Sequence, residues 1–157
     1  MNKYSIKSLP SFYVIGKEGD SKEGPSLVES LWNKADNHIK EVASLIKMDE
    51  YGPSSYWGLM SDYSRGFHPW EHGFKDGLYL AGYEAKDINV TLPAGWSVWK
   101  APEATYLIYP VGDDYSKSFA EGLAALKEEG YDLAGAVYDH AEKGENFLYF
   151  PVKKIKA

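Results

Sequence analysis

A chain of 157 residues is the size of one ordinary domain and can bury about 70% of the surface its unfolded form exposes. Its 17 Lys and Arg against 23 Asp and Glu give a net charge of −6, which repels a nucleic-acid backbone. The absence of cysteine excludes a disulfide framework, a thiolate nucleophile and a Cys-ligated zinc site. No apolar run approaches the roughly 18 residues of a membrane span, and the first residues lack a signal-peptide core, so the expectation is a soluble, cytoplasmic, single-domain protein over residues 1–157.

The first extended segment, SLPSFYVIGKEG from Ser8 to Gly19, matches TLPAGWSVWKAP from Thr91 to Pro102. Leu-Pro falls on Leu-Pro, Tyr13 on Trp96 and Ile15 on Val98. Each copy leads into an amphipathic helix. The first is expected from Gly24-Pro25-Ser26, with Ser26 and Glu29 at capping-box spacing and a stripe of Leu27, Leu31, Ala35, Ile39, Val42 and Ile46. Two extended segments follow, Ser54 to Ser61 and Leu78 to Ala85, carrying Trp57, Tyr79 and Glu84. Glu84 reads first as a strand-end charge in water and second as a buried counter-charge for a cation.

Between those segments lies HPWEH, with His68, Glu71 and His72. Pro69 and the flanking Gly66 and Gly73 oppose the helix that a metal site would need, and no metal or other cofactor is expected. A plain surface loop is favoured, ahead of a loop that closes over a ligand with Trp70.

Trp96 and Trp99 point to opposite faces of the second copy's strand. Trp96 shares its parity with Leu92 and Val98 and goes to the aliphatic core, whereas Trp99, beside the small Ser97, goes to a cleft. The second helix begins near Asp113-Asp114, carries Tyr115, Phe119, Leu123 and Leu126, and stops at Gly130. Segments Ala134 to Glu142 and Phe147 to Lys153 complete the chain, joined by a two-residue turn at Lys143-Gly144. The basic tail of Lys153, Lys154 and Lys156 reads as a solvated end of the last strand.

That turn sets His140 opposite Phe147 and Tyr138 opposite Tyr149. One face then carries Tyr138, His140, Phe147 and Tyr149. The other carries Val137, Leu148, Phe150 and Val152, with Asp139 near its wet end. Aliphatic side chains suit a helix-covered core, so the ringed face is expected to line a ligand cleft. The fold class expected is α+β: a duplicated β-α-β-β module, halves about 1–86 and 87–157. It forms an antiparallel sheet with two helices on one face and a cleft on the other.

LPAGWSVWK, GYDLAGAVYDH and FLYFPVKK, in that order around one helix, together with YLAGYEA, resemble the GyrI-like small-molecule-binding domain family. That family includes the effector-binding domains of AraC-type and MerR-type transcription regulators and stand-alone integron-cassette proteins. The resemblance implies a cleft for lipophilic, often cationic, multidrug-type compounds and no direct DNA binding. The ligand-binding set then comprises Trp57, Trp70, Tyr79, Glu84, Trp99, Tyr138, His140, Phe147 and Tyr149. Many members carry a Glu in the final strand where Phe147 stands, which weakens the cationic reading. The alternatives are a hydrolase of strained cyclopropane-containing toxins, with His140 or Glu84 as the candidate base, and a gyrase-inhibitor-type module that acts on an unidentified protein partner through its acidic surface.

Overall fold

The computed structural model describes residues 3–86 and 91–154. The boundary between the two sequence halves and Lys156 of the basic tail therefore lie outside the described residues. The fold is α+β, built on a curled antiparallel sheet.

The first half contributes β1 (Ser5–Leu9), β2 (Phe12–Asp20), α1 (Leu27–Asn37), the small pair β3 (Met48–Asp49) and β4 (Gly52–Pro53), and β5 (Tyr56–Ser61). The short α2 (Glu71–Phe74) and β6 (Leu78–Glu84) complete it. The second contributes β7 (Ser97–Ala101), β8 (Ala104–Pro110), α3 (Tyr115–Glu128), β9 (Tyr131–Leu133), β10 (Tyr138–Glu142) and β11 (Glu145–Lys154). Strands β1, β3, β4, β8 and β9 go beyond the expected set; β8 has the β-branched and aromatic content of a strand in ATYLIYP.

In the main sheet the order is β1-β8-β11-β10-β5-β6-β2-β7, with β9 pairing to β11. The first strand of each half pairs with the second strand of the other, β1 with β8 and β7 with β2. The two Leu-Pro segments thus include neighbouring strands, with Ile15 opposite Val98 and Val14 opposite Trp99. At the centre β10 lies against β5.

The last hairpin has the expected register, Tyr138 to Tyr149 and His140 to Phe147. Lys143 (φ 52°) and Gly144 (φ 80°) both adopt the left-handed conformation that a two-residue turn requires. Asp114 caps α3 by accepting from the Lys117 N–H at 3.1 Å, and Gly130 (φ 81°) follows its end.

The first helix is shorter than its apolar stripe. It ends at Asn37, and a 3-10 turn over Ile39–Glu41 carries the chain on, yet Val42 and Ile46 remain buried. Asp36, Asn37 and His38 are weak helix formers, while the apolar spacing reports only burial. Ser26 makes no side-chain cap; the capping box belongs to Asp20 and Glu23 around the preceding turn.

Both helices pack on one face. Under α1 lie Ile15, Tyr83 and Trp96, and under α3 lie Leu107, Leu148 and Phe150. The ringed face is also a core. Trp57, Trp99, Tyr106 and Tyr138 are buried there with Val14, Leu59 and Leu80, and the sheet's curl closes around them. Phe67, from the loop after β5, meets Trp99 edge-on at 5.8 Å and Tyr138 at 6.2 Å. The opposite placement of Trp96 and Trp99 agrees with their parity, but the Trp99 face is largely filled, with a 220 Å³ recess beside Trp99 and Arg65. Among the described residues, no helix is long and apolar enough to cross a membrane.

Candidate ligand-binding site

Each helix covers its own side of the sheet, α1 over β2 and β6, α3 over β8, β9 and β11. The central strands β5 and β10 have no helix of their own. A groove therefore runs between α1 and α3, on the face opposite the ringed core. It holds a cavity of about 520 Å³ over Met60, Tyr79 and Val137, walled by Phe119 of α3 and by Trp70. An adjoining cavity of about 420 Å³ reaches Trp32, Tyr56, Ala141 and Asn146. Volumes of this order suit small organic ligands.

Asp139 lies where the two meet. Its parity on β10 places it with Val137 and Ala141, so a carboxylate stands on an otherwise apolar floor. The Tyr79 hydroxyl donates to Oδ2 at 2.7 Å and the Tyr115 hydroxyl to Oδ1 at 2.6 Å. Trp32 Nε1–H donates in turn to the Tyr79 oxygen at 3.3 Å. Burial holds the Asp139 pKa above the usual carboxylate range, although both tyrosine hydrogen bonds pull it down. Burial first, and the adjacent carboxylate second, push the Tyr79 and Tyr115 hydroxyls well above the ordinary tyrosine value. Both phenols consequently remain donors throughout the physiological range.

Gly58 makes this arrangement possible. It pairs with Asp139 across the β5–β10 seam, and a Cβ at position 58 would fall 2.6 Å from Tyr79 Cζ and closer still to its hydroxyl. Gly77 makes similar room for the Trp70 ring, whose Nε1–H donates to the Leu78 carbonyl at 2.9 Å. The loop that carries Trp70 contains three non-glycine residues in the left-handed region, Arg65, Phe67 and His72.

Of the residues singled out from sequence, Trp70 and Tyr79 line the larger cavity, and His140 and Phe147 border the smaller. Trp57, Tyr138 and Tyr149 lie in the opposite core, with Trp57 stacked on His140 at 3.9 Å. Trp99 is buried there too, donating to Glu18 at 2.7 Å, while Arg65 grips the same carboxylate with two hydrogen bonds.

Glu84 stands at the end of β6, paired with Lys47 and accepting from Trp57 Nε1–H. His140 meets the Tyr56 carbonyl through Nδ1 and Glu142 through Nε2, and burial lowers its pKa against the pull of both partners. His72 pairs with Asp76, and no group of three metal-ligating side chains occurs among the described residues.

Asp139, Tyr115 and Trp32 are the site residues that sequence reasoning passed over. Asp139 had a signal: it is the one charged residue at a core-parity position in the run VYDHA. Tyr115 reads from sequence simply as a helical residue, and the roles of both Tyr115 and Trp32 depend on where the helices sit.

No family model and no curated protein matches the sequence. Solved structures do match over nearly the whole chain. The C-terminal domain of EcmrR superposes with a TM-score of 0.66 at 14% identity, over 97% of this chain and 98% of that one. SAV2435 bound to tetraphenylphosphonium gives 0.63 at 12% identity, over 97% and 94%. An integron cassette protein from Vibrio cholerae gives 0.59 at 14%, over 97% of both chains. At such identities the likeness is one of fold.

Proposed function

We propose that this chain binds lipophilic cations of the multidrug type, and that the groove between α1 and α3 is its site. The observation that carries this reading is Asp139: a carboxylate on an apolar floor, with both oxygens hydrogen-bonded by phenols. A buried carboxylate is costly to ionise without a counter-charge, and a cation beside aromatic faces supplies one while gaining cation–π attraction. The tetraphenylphosphonium held by SAV2435, which shares this fold, supports the chemical class. The resemblance to GyrI-like domains points the same way, although Asp139 projects to the face opposite Phe147.

The hydrolase reading has less support. Glu84 and His140 are both engaged elsewhere, and neither lines the larger cavity.

Titration calorimetry with tetraphenylphosphonium tests the proposal. Asp139→Asn should weaken binding by about tenfold or more, while a neutral analogue such as triphenylphosphine oxide should bind both proteins alike. Equal affinity of the two proteins for the cation would refute it.

A further inference from the structure

The groove is not one open trough. Its two cavities, of about 520 and 420 Å³, share Val28, Tyr79, Tyr115 and Asp139. Tyr115 reaches from the first turn of α3 down to Asp139 on β10, and its 2.6 Å hydrogen bond makes a strut across the floor. On one side the surroundings are apolar, with Met60, Trp70, Phe119 and Val137. On the other they have polar tips, with Tyr56, Trp32 and the exposed Asn146. Among the described residues, the only carboxylate lining either cavity, Asp139, stands between them.

We infer that the site takes a two-lobed ligand, with its positive charge central at Asp139 and one ring system in each chamber, divided by the Tyr115 strut. This rests on the proposed function and specifies its ligand class. Each Asp139 oxygen accepts one phenol hydrogen bond and retains further lone pairs, so its charge can face a cation that has no N–H to donate. A quaternary ammonium or phosphonium with substituents on both sides satisfies that geometry. A cation with a single ring fills one chamber and leaves the other to water, forfeiting the apolar area of the second.

Two permanently charged probes separate these cases, benzyltrimethylammonium with one ring and dibenzyldimethylammonium with two. Measured by quenching of tryptophan fluorescence on the full chain, the two-ring cation should bind at least about tenfold more tightly. Ser116→Trp narrows the first chamber and Asn146→Trp the second; both positions are exposed, so the fold tolerates them. Each variant should bring the two-ring affinity down to the one-ring level.

Equal wild-type affinities for the two probes, both lost in Asp139→Asn, would overturn the two-lobed geometry while leaving the cation site in place. An effect of only one of the two tryptophan variants would do the same. Failure of both probes to bind, or binding indifferent to Asp139→Asn, would instead remove the cation site and this inference with it.

Discussion

Replacing Gly58 by alanine should cost about 3 kcal/mol of stability, and the reason lies in the site itself. The added Cβ would fall 2.6 Å from Tyr79 Cζ and 3.1 Å from Asp139 Cβ, and Tyr79 is wholly buried, so its ring cannot swing into solvent. Overpacking of a tight core costs about 1–3 kcal/mol, and displacing the ring also breaks a hydrogen bond to a carboxylate worth about 1.5–3 kcal/mol.

Against this, alanine lowers the entropy of the unfolded chain by the equivalent of roughly 0.4–1 kcal/mol. The net loss corresponds to a fall in Tm of roughly 6–12 °C for a domain of this size. Urea denaturation and thermal melting should agree on it. In a Tyr79→Phe background the hydroxyl is already gone, and Gly58→Ala should cost at least about 1.5 kcal/mol less than in the wild type. A Gly58→Ala protein within about 0.5 kcal/mol of wild type, or the same cost in both backgrounds, would show that the seam has room to spare and that Tyr79 is not pinned over Asp139.

Two further outcomes follow from the same geometry. Asp139 has a raised pKa in the free protein, and a bound cation favours its ionised form, so binding releases a proton below that pKa. Affinity for tetraphenylphosphonium should therefore be weak in acid, rise with pH from the ordinary carboxylate range through the raised value, and then level off. Tyr79 and Tyr115, the groups that face the carboxylate, keep their protons over that range, and Asp139→Asn should flatten the calorimetric pH profile. In the α3 core, Gly122→Ala would overlap ring carbons Cε2 and Cζ of the buried Phe150. It should destabilise the protein by roughly 1–3 kcal/mol in denaturant titration without altering the relative affinities for different cations, since Phe150 does not line the groove.

Alternation along VYDHAE and NFLYFPV, together with the Lys143-Gly144 turn, was enough to assign each residue of the last hairpin to a face, because a two-residue turn leaves one register. The same local rules placed α3 and its caps, and separated Trp96 from Trp99. They could not say which face is hollow. Tyrosine and histidine opposite aliphatic residues look like a cleft wall when only one core is imagined, but a curled sheet encloses a second core, and Trp57, Trp99, Tyr106 and Tyr138 fill it.

The hollow lies where two helices, each held over its own strands, fail to meet above β5 and β10. That gap is a property of helix placement, which no local pattern encodes. It gives Asp139, one polar residue in an apolar alternation, its meaning: with Tyr79 from β6, Tyr115 from α3 and the missing Cβ of Gly58, it becomes the charged centre of a groove. Gly58, Tyr79 and Asp139 meet because the central strands pair, and Tyr115 joins them because α3 lies above that seam.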